Sequence, residues 1–166
     1  MLRTIRPSRP WTLVLAMAWL VLGRYAPAPA AQTASDVAVV VHPDVPVDNL
    51  TVSELRRVVL GDREFWPAGV RITLLIRAPI AHERDVVLKN LCQMTEAQFR
   101  QHWIGKVFRA DTALAPKIVY SPEMAADMVN RFPGAITFID ATLLARGLKV
   151  VKIDGLAPGD RGYALH

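Results

Sequence analysis

Apolar and polar positions fall in short blocks along this chain, and their period switches between that of a strand and that of a helix. Trp11 to Gly23 is an apolar run without a charge. Val37 to His42 is a continuous, largely β-branched run, the pattern of a strand buried on both faces, and Pro43, Pro46 and Asp48 break it. Thr51 opens a helix with Glu54 three residues on, the spacing of a capping box. Val52, Leu55, Val58 and Val59 form its inner stripe, and Gly61 ends it. Asp62 to Gly69 is a turn containing Phe65-Trp66-Pro67. A strand follows from Val70 to Arg77, in which Ile72, Leu74 and Ile76 alternate with Thr73 and Leu75.

After Pro79 the pattern predicts a helix to about Leu91. Thr95 and Gln98 make a second capping box, opening a helix that places Phe99, Trp103 and Val107 on one stripe. Phe108 to Lys117 reads as a loop and Ile118 to Tyr120 as a short strand. Ser121 is an N-cap with Pro122 at the first helical position, and Met124, Met128 and Val129 face inward until Pro133-Gly134 stops the helix. Ala135 to Ile139 is a strand. A short helix from Ala141 to Arg146 leads through Gly147 to a last strand, Leu148 to Ile153. Strands alternating with helices imply an α/β domain whose sheet is parallel or mixed and flanked by helices.

The start of the chain carries a targeting signal. Arg3, Arg6 and Arg9 precede the apolar run without an acid, Arg24 ends it, and Ala28-Pro29-Ala30-Ala31 supplies small residues. A basic start, a short apolar stretch and an Ala-x-Ala site describe a secretory signal. The run is shorter than the ~20 apolar residues a membrane-spanning helix needs. Residues 1–31 are therefore expected to be a signal peptide cleaved near Ala30/Ala31, 32–36 a short leader and 37–166 one domain, periplasmic or secreted.

Cleavage changes the charge. The chain has 20 Lys and Arg against 15 Asp and Glu, a formal +5. Removing the four arginines of residues 1–31 leaves 16 against 15, so the mature part is near neutral and a nucleic-acid partner is not expected. Its length of about 135 residues is enough for one core without staples. Cys92 is the single cysteine, on an apolar stretch with Val86, Val87 and Leu91, which predicts a buried, inert thiol.

Leu50-Thr51-x-x-Glu54-Leu55, Val59-Leu60-Gly61 and Phe65-Trp66-Pro67-x-Gly69, followed in order by Gln98, Trp103, Phe108 and Pro133-Gly134-Ala135-Ile136, resemble the phosphate-binding-protein-like family. These are solute receptors of bacterial ABC importers with the type 2 periplasmic-binding-protein fold. The resemblance spans about residues 37–153 and implies essentially one lobe of that fold, the second lobe plus its crossover strands. The family places an Arg at a strand end and then Ser-Gly-Thr at the next helix start. Arg77 matches the Arg, but Pro79-Ile80-Ala81-His82 stands where the hydroxyls are expected, and Thr137-Phe138 replaces the usual Gly-Tyr.

An oxyanion site needs few parts: the unpaired N–H groups of a helix start and a guanidinium with its fork of donors. Arg77, His82 and Arg84 are the candidates, with Trp66 lining a cleft or capping the core. The alternative is that Arg77 and Arg84 pair with Glu83 and Asp85. Arg71 and Lys117 read as ordinary surface charge, and Trp103 and the Met124/Met128 pair as core. No Gly-x-Ser-x-Gly, His-Glu-x-x-His or paired-cysteine spacing occurs, so neither an enzyme nor a cofactor or metal site is expected. Two functions follow as expectations. One is capture of phosphate or another small oxyanion for an ABC importer or sensor. The other is a single-lobe interaction module docking on an envelope transporter, receptor or sensor kinase. A homodimer that rebuilds a cleft lies between them.

Overall fold

A computed structural model of the chain describes residues 35–112 and 114–166. The segment read as a signal peptide, and the first residues of the leader, lie outside the described residues.

Six strands form one mixed sheet: β1 (Val37–Val41), β2 (Asn49–Leu50), β3 (Thr73–Arg77), β4 (Lys117–Val119), β5 (Ala135–Asp140) and β6 (Lys149–Ile153), in the order β2-β6-β1-β5-β3-β4. β1 runs antiparallel to β5 and β6, whereas β3 is parallel to both β4 and β5. Helices α1 (Val52–Val59), α2 (His82–Val86), α3 (Glu96–Phe108) and α4 (Pro122–Arg131) cover the sheet. β1 shows why both faces must be covered. Val37, Val39 and Val41 join the larger core with Leu55, Phe99 and Trp103, while Ala38 and Val40 join a second core with Ala125 and Val129 of α4. Successive side chains of a strand point to opposite faces, so an unbroken apolar run demands a layer on each side. Tyr163 and Leu165 close the larger core at the chain end, where the Tyr163 hydroxyl donates to Val37 O at 2.9 Å.

The two capping boxes form as the spacing predicts. Thr51 and Thr95 each accept from the backbone N–H three residues on, and Glu54 and Gln98 reach back. Elsewhere the structure corrects the sequence reading. The strand expected from Val70 begins at Thr73, because Trp66 N–H bonds Val70 O and residues 65–71 are spent on a turn. The helix expected after Pro79 starts only at His82, since Ile80 adopts φ 73°; its second half, Val87–Cys92, is π-helical and ends at Gln93. Val107 is half exposed, because eight residues at 3.6 per turn carry it about 80° round the axis from Phe99. On α4, Ala125 and Val129 face inward and Met124 is exposed. The helix expected over Ala141–Arg146 is one 3₁₀ turn, Ala141–Leu143, capped by the Asp140 carboxylate. β2 is two residues long, too short to leave a periodic signal. Among the described residues no helix is long and apolar enough to cross a membrane.

Candidate functional site

Because β3 and β4 are parallel, their carboxyl ends meet at one edge of the sheet beside the starts of α2 and α4. Ligands of open α/β sheets sit outside such ends. Arg77 is the last residue of β3 and is buried. Its Nε donates to Glu83 Oε1 at 3.1 Å, and its Nη1 lies 3.5 Å from Val119 O. Arg84, also buried, forms a fork on Glu96: Nε to Oε2 at 2.7 Å and Nη2 to Oε1 at 2.9 Å. Its third donor, Nη1, reaches the Arg77 carbonyl at 2.9 Å. Arg84 thereby ties the end of β3 to the start of α3, with the Phe99 ring 5.4 Å from its guanidinium.

The open oxyanion pocket expected from Arg77, His82 and Arg84 is not formed. Two guanidiniums meet two carboxylates, and the cluster is neutral within itself. The reason is desolvation: a guanidinium taken out of water at the strand end needs a counterion, and the first turns of α2 and α3 supply Glu83 and Glu96. The pairing of Arg77 with Glu83 is the one considered from the sequence. Asp85 instead binds Lys89 at 2.6 Å. His82 is exposed, with Nε2 3.1 Å from Ser35 O. α4 adds a further carboxylate, Glu123, which a hydrogen bond from Ser121, its own backbone N–H and the charge of Arg77 hold below the usual range.

Trp66 belongs to a different place. Its Nε1 donates to Gly134 O at 2.9 Å, and Gly134 O also accepts from Thr73 N, the first residue of β3. Trp66 therefore seals the core at the amino ends of β3 and β5, the opposite edge of the sheet from Arg77. Of the four candidates, Arg77 and Arg84 are brought together, His82 stands beside them facing Ser35, and Trp66 is separate.

The carboxyl-end face also exposes two large hydrophobic side chains. Ile80, in the left-handed region at φ 73°, is wholly exposed, and Tyr120 is 73 % exposed. An open groove of about 590 Å³ adjoins this face, lined by Ile76, Phe99, Trp103, Ile104, Val107 and Ile118, with Arg84, Glu96 and Arg100 also lining it. The sequence carried a signal of this groove in α3, where Ile104, Val107 and Phe108 add a second apolar side to the Phe99/Trp103 stripe. A helix apolar on two sides has two surfaces to cover. Among the described residues no group of three or more His, Cys, Asp or Glu is placed to hold a metal ion.

No protein-family model matches the chain, and no curated protein matches it in sequence. Solved structures do match in fold. An ABC-type phosphate transport receptor from Vibrio cholerae is similar with a TM-score of 0.61 and 20% identity, over 75% of this chain and 48% of that one. PstS from Borrelia burgdorferi gives 0.63 and 14%, over 79% and 54%. A phosphate-binding protein from Stenotrophomonas maltophilia gives 0.54 and 12%, over 75% and 40%. At these identities the likeness is one of fold, and the architecture implied by the resemblance is the one found. The chain spans about half the length of the receptors it matches.

Proposed function

We propose that this chain is an exported, non-catalytic lobe of the solute-receptor type that docks the carboxyl-end face of β3 and β4 on an envelope transporter, rather than closing over phosphate. The observation that carries the reading is Ile80. A β-branched residue at φ 73° is a backbone outlier, of a kind that costs about 1–3 kcal/mol. The turn that imposes it is closed by one backbone bond, Ala81 N–H to Ala78 O at 3.2 Å, but the side chain it holds is fully in water, so no side-chain burial among the described residues offsets that cost. Tyr120 adds a large amphipathic ring on the same face, and aromatic residues of this kind are enriched where proteins meet. The chemistry that would draw an oxyanion here is already consumed by Glu83 and Glu96.

A photo-crosslinker placed at position 80 in living cells tests this. A covalent adduct with a membrane transporter, lost when Tyr120→Asp is added, is the expected result. No adduct, or an adduct only with a second copy of the chain, overturns it.

A second reading, capture of phosphate or a similar oxyanion, is favoured by the fold shared with phosphate receptors and by Arg77 at a strand end. Calorimetry with phosphate and sulfate separates the two. Saturable heat that disappears in a folded Arg77→Lys variant selects capture, and silence at millimolar anion selects docking.

A further inference from the structure

We propose that the groove between α3 and β4 is a binding site for a free single-chain carboxylate amphiphile. The groove is separate in chemistry from the Ile80 face and stands or falls independently of it. Its volume of about 590 Å³ falls within the range of small-molecule sites, about 300–1,000 Å³. The walls are aliphatic and aromatic side chains: Ile104 is 54 % exposed and Val107 49 %, leaving apolar surface that an acyl chain would remove from water.

Charge points to an acidic head on that chain. Arg84 is bound by Glu96, but the ion pairs of α3 and its C-cap among the described residues use Glu96, Lys106 and Arg109 and leave Arg100 without a partner. The groove lining therefore carries one unmatched positive charge. Trp103 lines the same groove and is more than nine-tenths buried, with its indole N–H closed off from solvent. Arg100 and Trp103 are three apart on α3 and share a face of the helix, so a head group held by Arg100 lies beside a ring whose emission reports on it. A carboxylate matches the guanidinium in charge and in its fork of donors; an alcohol or an amine cannot neutralise the charge.

Decanoate, 1-decanol and decyltrimethylammonium are suitable probes, titrated below their micellar range into the purified protein. The readouts are calorimetry and the difference in tryptophan emission between wild type and Trp103→Phe. Expected are one decanoate per chain, a change in emission absent from Trp103→Phe, and no binding of the ammonium compound. Arg100→Glu should weaken decanoate at least roughly tenfold, the scale of losing one charged hydrogen bond, while leaving decanol unchanged. Ile104→Glu changes an exposed position, so circular dichroism should be that of wild type while binding is lost. Decanoate binding unaffected by Ile104→Glu overturns the site. Equal affinity for decanoate and decanol overturns the carboxylate. A dimer that Ile104→Glu dissociates overturns the proposal in favour of a second copy in the groove.

Discussion

Arg77 and Glu83 face each other across the start of α2, Nε to Oε1 at 3.1 Å, with only 10 % and 6 % of their side chains exposed. Such a pair is asymmetric in its energetics. Removing one partner strands a charge out of water and typically costs about 3–5 kcal/mol, whereas replacing both by apolar residues of similar volume is often neutral. Glu83→Ala is therefore expected to lose about 3 kcal/mol in urea unfolding, and Arg77→Met/Glu83→Leu to lose clearly less. A single variant as stable as wild type would mean that the pair is not formed in solution.

The same pair marks how far the sequence could be read. Glu83 is six residues from Arg77, and a reader of the chain alone can name it as a partner. Glu96 is twelve residues from Arg84, on the far side of the π-helical turn and the left-handed Gln93. That turn decides where α3 begins relative to Arg84, and no local pattern encodes it. The capping boxes at Thr51 and Thr95 were legible because every group in them lies within three residues. The core-capping role of Trp66 is legible in the chain, but which end of the sheet it seals is fixed by the parallel pairing of β3 with β5, which no local pattern reports. The groove needed the return of the chain through Ala115 and Pro116 over α3, a tertiary event that α3's second apolar side signals only in part.

Two glycines test the close approaches that this arrangement requires. Gly134 has φ 77°, and a Cβ there would stand 2.2 Å from the Arg71 carbonyl oxygen, a backbone atom that cannot swing aside. Gly61 has φ 70°, and its Cβ would meet the Trp103 ring at 2.6 Å. Both substitutions to Ala carry the left-handed penalty of about 1 kcal/mol, but only at Gly134 is the clash with main chain. Gly134→Ala is expected to destabilise by more than about 2 kcal/mol and by more than Gly61→Ala. Thermal unfolding of the two variants decides it; the reverse order would show that the turn at Gly134 has room to move.

Stability should fall on the alkaline side, and Cys92 sets where. Burial raises its thiol from 9.0 to about 11, with Arg56 opposing weakly. Below pH 9 the thiol is protonated in both folded and unfolded chains and contributes nothing to the pH dependence. Between 9 and about 11 the unfolded chain releases the proton and the folded one keeps it, so the unfolded state binds fewer protons and stability declines by up to about 1.4 kcal/mol per pH unit. Tyr163 acts in the same direction at higher pH, its hydroxyl raised by burial and by the charge of Asp36. From pH 8 to pH 10 wild type is therefore expected to lose about 1 kcal/mol more in urea unfolding than Cys92→Ala. The native thiol should also resist alkylation at pH 8 until denaturant is added, since the thiolate is the reactive form. Equal losses in the two proteins, or rapid alkylation of the native chain, would place Cys92 at the surface and contradict its position in the larger core, on the segment packed against α1.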